Sequence, residues 1–333
     1  MEKLSTIIDF QEARDFGSKM NATYFFLRQN FKGLAKSLLF FTAPFVLLSM
    51  AFYHEILIRM MKLSGNHDNI GSPFGLDEYY SSTNFYIQLI ASLFFMLIGG
   101  VFTVATTYGY FLEYEEKKTI DIDLGNVWRR ARKMFWPLLG TMFLYCIGLV
   151  IGGGILILPL GALIYVISFI NPVLGALSVF VYYIFVIALC IYFSMVFFIR
   201  CKERIGFFDA LAKLFRITRG QFWNTVFIGG INLYVQTIFS LLFIIPWYIY
   251  LYSSYLHNTT KTFFAQASFL DETISAALLM VYGLASVLLS ALPLIAIAFQ
   301  YYHLVELREA KGLMTRLETF GQEHYTVDHY EDY

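Results

Sequence analysis

Residues 135–199 read FWPLLGTMFLYCIGLVIGGGILILPLGALIYVISFINPVLGALSVFVYYIFVIALCIYFSMVFFI, a run without a single Asp, Glu, Lys or Arg. A hydrocarbon core about 30 Å thick needs about 20 apolar residues per spanning helix. The run is therefore longer than two minimal spans require. Pro159 and Pro172 punctuate it, so the surplus around 160–171 is either helix overhang or a short re-entrant piece. It is too short for a third span. An odd count would also put the basic segment 200–219 on the wrong face.

Working outward, four further runs meet the length requirement, and the six spans fall at about 37–57, 84–112, 135–158, 173–199, 222–250 and 274–302. The fold class is all-α, a polytopic membrane protein with six transmembrane helices. Composition agrees. Hydrophobic residues make up 58% of the chain and charged residues 14%, against roughly a quarter charged in soluble domains. The 35 Phe and 24 Tyr suit a surface that meets lipid and headgroups.

The basic residues set the orientation. Of the 24 Lys and Arg, all but Arg59, Lys62 and Lys261 precede the first span, follow the last, or lie in 113–134 and 200–221. The positive-inside rule places these segments and both termini in the cytoplasm. A secretory signal peptide is not expected: an amphipathic mixed-charge segment precedes the first apolar run, no small-residue cleavage pattern follows it, and the run reads as a retained signal-anchor.

The segments before the odd-numbered spans repeat one pattern, an aromatic, then Arg four residues on, then Phe three further: Tyr24, Arg28, Phe31; Trp128, Arg132, Phe135; Phe215, Arg219, Phe222. The second and third copies also match at Arg129 and Arg216, Trp136 and Trp223, Pro159 and Pro246, and Glu116 and Glu203. We read three parallel units, each an amphipathic interfacial helix followed by a transmembrane hairpin, at about 10–112, 113–200 and 201–302. They form one membrane domain over 1–312, with a short cytoplasmic tail over 313–333. Parallel copies depart from the inverted repeats of many secondary transporters.

Each amphipathic segment has an apolar stripe. The first has Phe16, Met20, Tyr24, Leu27 and Phe31. In the second, Val127, Trp128, Ala131, Met134 and Phe135 oppose Arg129, Arg130, Arg132 and Lys133. In the third, Phe207, Phe208, Leu211, Leu214 and Phe215 oppose Asp209, Lys213, Arg216 and Arg219, and Asp209 and Lys213 are spaced for an i,i+4 pair. Such helices lie in the interface with aromatics down and cations toward anionic headgroups, each cation contributing about 1 kcal/mol. The candidate lipid or partner contacts are thus Arg28, Trp128, Arg129, Arg132, Phe215, Arg216 and Arg219. The plain alternative is that these residues only orient and anchor each hairpin.

No ionisable residue sits deep in a span, which weighs against a proton- or ion-coupled transporter. Among the intramembrane polar residues, Asn232 and Gln236 lie one turn apart and could bond across helices or line a solute path; interhelical bonding is the simpler reading. Gly148 with Gly152, extended by Gly153 and Gly154, reads as a close-packing face. Cys146, Cys190 and Cys201 read as buried, reduced thiols with neither disulfide nor zinc spacing. His54-Glu55 opens like a zincin motif, but Ile58 stands where the second ligand would be. His324, Asp328, His329, Glu331 and Asp332 form an acidic tail rather than a metal site, and Asn258-Thr259-Thr260 fits a glycosylation sequon. No catalytic signature, metal or cofactor is expected, and the zero net charge argues against a nucleic-acid partner.

The three units, with Phe135-Trp136 and Phe222-Trp223 at span entries and Pro159 and Pro246 within, resemble the six-span membrane domain attached to some bacterial glycerophosphodiester phosphodiesterases, and related stand-alone bacterial membrane proteins. The resemblance covers about 10–311 and implies a bacterial inner-membrane location. In that family the activity belongs to a separate barrel domain of about 250 residues, for which this chain has no room, so the resemblance does not carry the activity over. The expected function is a non-enzymatic scaffold or lipid-interacting accessory. Its partners would be membrane lipids, anionic phospholipid in particular, and a protein in the membrane or cytoplasm. The rival is a permease or exporter for an apolar or amphiphilic solute.

Overall fold

The computed structural model describes residues 7–64, 79–257, 269–310 and 314. The sequon, the acidic tail, most of the loop over 63–83 and the expected continuation of the last helix toward Phe320 lie outside them. Among the described residues the secondary structure is helical throughout: α1 Phe16–Phe41, α2 Ala43–Ser64, α3 Thr83–Lys117, α4 Leu124–Ile170, α5 Pro172–Glu203, α6 Phe207–Ile217, α7 Phe222–His257 and α8 Phe269–Glu309. Six of them, α2, α3, α4, α5, α7 and α8, are long and apolar enough to cross a membrane. The protein is a multi-pass, all-α membrane protein.

Local chemistry sets the helix ends. Asp15 caps α1 by accepting from the Ser18 amide at 3.0 Å, and Ser82 caps α3 by accepting from Phe85 at 3.3 Å. Both satisfy amides that have no partner inside a helix. Asn171 accepts from Val173 and Leu174, and Pro172 opens α5 in the position where a missing N–H costs nothing. The surplus after Pro159 is helix overhang. α4 continues through that proline to Ile170, 47 residues in all, or about 70 Å at 1.5 Å per residue.

The amphipathic segments take three different forms. In the third of these α6 is a separate short helix. In the second the segment is the first three turns of α4 and runs straight into the span. In the first it belongs to α1, which ends at Phe41, so that the spanning helix starts only at Ala43, after Thr42. α1 is also turned differently from a purely interfacial helix. Phe16, Tyr24 and Phe31 face outward, while Lys19, Thr23, Phe26 and Asn30 are buried against the bundle. That polar face finds protein partners. Lys19 donates to Gln300 at 2.9 Å, Gln300 donates to Thr225 at 3.2 Å, and Asn30 donates to its own helix at Phe26.

The core is concentrated at one end of the bundle. There Phe10, Phe26, Phe111, Tyr114 and Phe299 form a cluster of aromatic rings with centroids 4.9–6.4 Å apart. Ion pairs close the same end. Lys202 bonds Glu115 at 2.6 Å, Lys213 reaches Glu309 at 3.3 Å and also pairs with Glu203, and Tyr302 donates to Glu115 at 2.5 Å. Lys213 therefore bonds to neighbouring helices rather than to Asp209 on its own.

The far halves of α4 and α5 carry mostly exposed apolar side chains, such as Val150, Phe169 and Val173. The expected close-packing face there is unused within the chain. A Cβ added at Gly148, Gly152, Gly153 or Gly154 meets nothing within 4 Å, so no neighbouring helix packs directly on them. Close approach occurs elsewhere: a Cβ on Gly229 would overlap Ile191 and come within 3.0 Å of Ile297. All three cysteines are free, but only Cys201 is buried, and Cys146 is exposed.

Candidate functional site

A cavity of about 570 Å³ opens at the ion-paired end, between α3, α4, α5 and the turn over 204–206. Five cations line it, Arg129, Arg130 and Lys133 from α4, Arg200 from α5 and Arg204 from the turn that follows, and Glu113 is the one carboxylate in its wall. Helical spacing explains the convergence. Arg129 and Lys133 are one turn apart on α4, with Arg130 on the adjoining row, while Arg200 sits in the last turn of α5 and Arg204 is the residue that caps it. Arg204 ends α5 in the left-handed region at φ 55°, a conformation that costs a non-glycine residue roughly 1–2 kcal/mol. The chain turns there into Ile205 and Gly206, which complete the wall.

The cations are not equivalent. Arg130 is neutralised by Glu113 at 2.9 Å and by Glu116. Arg200 donates to the Thr141 hydroxyl at 2.6 Å, while its buried Nε has no protein partner. Arg129, Lys133 and Arg204 are exposed, and their side chains have no acidic partner among the described residues. Three uncompensated cations around a partly desolvated guanidinium make a site for an anion with several acceptor oxygens, the geometry that Arg forks and Lys ammoniums match in a phosphate.

Directly beneath, an apolar groove of about 390 Å³ runs between α4, α5 and α6. Leu144, Tyr145 and Gly148 line it from α4, Phe193 and Val196 from α5, and Phe207, Phe208, Leu211 and Phe215 from α6. α6 is held by its other face, on which Ala210, Leu214 and Ile217 are buried. Phe208 is left 73% exposed and Phe215 51% exposed.

The structure divides the sequence candidates. Arg129 lines the basic cavity. Arg216 and Arg219 instead share a second depression with Arg308 and Glu309, where Arg216 stands 3.6 Å from Glu309. Phe215 is in the apolar groove. Arg28 and Arg132 are exposed and line none of these sites. Trp128 stacks on Phe41 and Phe102, at centroid distances of 4.8 and 5.8 Å, and so ties α4 to α1 and α3. Asn232 is buried and donates to Ile228 on its own helix at 2.8 Å and to the Met20 sulfur at 3.1 Å, whereas Gln236 is half-buried. The two do not bond to each other. Arg200, Arg204 and the buried Lys19 are not among the residues that the sequence marks, and Lys133 enters there only as part of the basic side of its segment; the i,i+4 spacing of 129/133 is the signal that marks the α4 residues of the cavity.

No protein-family model, no curated protein and no solved structure matches this chain. The functional reading therefore rests on the cavity, the groove and the membrane-spanning fold.

Proposed function

We propose that this protein is a non-enzymatic scaffold or accessory of a bacterial inner membrane that holds anionic phospholipid at the cytoplasmic leaflet and positions a partner there. The carrying observation is the cavity in which Arg129, Lys133 and Arg204 lack acidic partners beside the half-satisfied Arg200. Basic pockets between transmembrane helices on the cytoplasmic side are places where anionic headgroups bind. The positive-inside distribution supports a cytoplasmic position for this end and for both termini.

The three-unit reading belongs to the same proposal, and two features support it. Burial recurs between the second and third copies: Val127 and Leu214, Ala131 and Thr218, and Leu138 and Thr225 are all buried. Among the described residues, those other than glycine with positive φ, Lys118, Arg204 and Ala310, each stand just after the second spanning helix of a unit. The likeness to the membrane domain of glycerophosphodiester phosphodiesterases fits a lipid-facing role without catalysis.

The test is purification of the full chain in native nanodiscs, with identification of the lipids and proteins that come with it. Enrichment of anionic over zwitterionic phospholipid, lost in an Arg129→Glu/Arg204→Glu variant, is the expected result. Unchanged lipid composition would remove the proposal's basis. The permease alternative draws on one observation, the buried Asn232 carbonyl oxygen without a partner. Solute flux in reconstituted vesicles that disappears in Asn232→Leu would favour it.

A further inference from the structure

The basic cavity and the apolar groove lie on the same faces of the same two helices. On α4, Pro137 in the cavity, Thr141 at the junction, and Leu144 and Gly148 in the groove follow at i, i+4, i+7 and i+11, which is one helical stripe. On α5, Phe193 and Val196 in the groove precede Arg200 in the cavity at i, i+3 and i+7, and Arg204 follows as the C-cap of the same helix. The Thr141–Arg200 hydrogen bond marks the level at which charge gives way to hydrocarbon.

We infer that the two form a single site for an intact anionic glycerophospholipid, with the phosphate among Arg129, Lys133 and Arg204 and one acyl chain in the groove under Phe208 and Phe215. This deepens the headgroup reading above and rests on it. The volume of the groove falls in the range of about 300–1,000 Å³ typical of small-molecule sites. Its floor at Gly148 is open, since a Cβ there meets nothing within 4 Å. The outward aromatic row of α6 also gains a role, as the wall that separates this chain from bulk lipid.

A second apolar groove shows why position decides. It lies between α3 and α4, is lined by Leu93, Phe94, Trp136 and Phe143 among others, and is comparable in size at about 490 Å³. Its α4 residues are on the opposite face of the helix, away from the five cations. Above it α4 offers a single cation, Arg132, one turn before Trp136, in place of the cluster that stands over the first groove.

The experiment is a calorimetric titration of the delipidated full chain in non-ionic detergent with three probes: inorganic phosphate, glycerol 3-phosphate and dioleoyl phosphatidylglycerol. Wild type should bind the phospholipid at least about tenfold more tightly than glycerol 3-phosphate, a gap of about 1.4 kcal/mol. Gly148→Phe fills the groove and should abolish that gap while leaving glycerol 3-phosphate binding unchanged. Phe208→Ala, at an exposed position where folding is not at stake, should narrow it. Phe143→Ala, in the second groove, should leave it intact. Equal affinity for phospholipid and glycerol 3-phosphate, or a gap that survives both Gly148→Phe and Phe208→Ala, would overturn the single-site inference while leaving the headgroup reading in place. Loss of neither ligand in Arg129→Glu/Arg204→Glu would overturn both.

Discussion

Arg200 donates to Thr141 at 2.6 Å, tying α5 to α4 at the boundary between the basic cavity and the apolar groove. The buried Nε of the same guanidinium has no protein partner, so this bond is what fixes the side chain in the cavity wall. Removing one partner of a buried pair leaves the other's desolvation uncompensated, at about 1–3 kcal/mol. Thr141→Val should therefore lower the thermal unfolding midpoint in detergent, whereas Thr141→Ser, which keeps the hydroxyl, should recover most of the loss. Equal midpoints for Val and Ser would show that the bond contributes little.

Glycines on the long helices separate into packed and open positions, and alanine should read the difference. At Gly229 a Cβ would collide with Ile191 and press on Ile297 at 3.0 Å, and overpacking typically costs about 1–3 kcal/mol. At Gly152 nothing stands within 4 Å, and alanine gains up to about 1 kcal/mol of helix propensity over glycine. Gly229→Ala should thus destabilise and Gly152→Ala should be neutral or stabilising. Thermal unfolding of the two variants side by side checks the packing of α7 against α5 and α8.

Lys19 gives the bundle a pH signature. It is 1% exposed with its ammonium on a neutral acceptor, Gln300, at 2.9 Å. Burial pushes its pKa down from 10.5 to about 8, against a smaller upward pull from Asp15. Between about pH 8 and 10.5 the unfolded chain then holds a proton that the folded chain has released, so stability rises with pH across that window. Lys19→Met lacks this titration. The midpoint of wild type relative to Lys19→Met should climb from pH 7.5 to pH 10, and a flat or falling difference would mean that the ammonium is well compensated where it sits.

Which parts of this were legible beforehand follows from the physics of each. Bilayer thickness fixes the length of a span and leaves a long apolar run few alternatives, so residues 135–199 declare a hairpin without help from packing. Facing is harder, because in lipid both sides of a helix can be apolar and the hydropathy period fades. The aromatic row of α1 is a legible stripe, but it turns outward, because the opposite face is buried and Gln300, almost the whole chain away, accepts from Lys19 there. The cavity was half legible for the same reason. Arg129 stands out within its own segment, but Arg200 and Arg204 belong to the end of another helix, and only the α4–α5 pairing brings them to it. The stripe at Gly148 and Gly152 misled because spacing reports that helices could approach closely, not that a partner helix is there.

Electrostatic binding at the cavity should also weaken with salt. Arg129, Lys133 and Arg204 are exposed, and the Debye length shrinks from about 10 Å at 0.1 M to about 3 Å at 1 M. The phosphate contribution should fall over that range, measured as retention of anionic lipid during washing at increasing ionic strength. Any contribution from the apolar groove should persist, leaving a salt-resistant fraction that Gly148→Phe removes.

The most direct measurement is native mass spectrometry of lipid adducts on the full chain, titrated with equal phosphatidylglycerol and phosphatidylcholine. Wild type and Arg132→Glu, whose charge change lies outside the cavity, should both retain phosphatidylglycerol preferentially. Arg129→Glu/Arg204→Glu should lose that preference by on the order of tenfold or more, given about 1 kcal/mol for each cation near an anionic headgroup. An Arg132→Glu variant that loses as much as the double variant, or a double variant that binds like wild type, would contradict a headgroup site in this cavity.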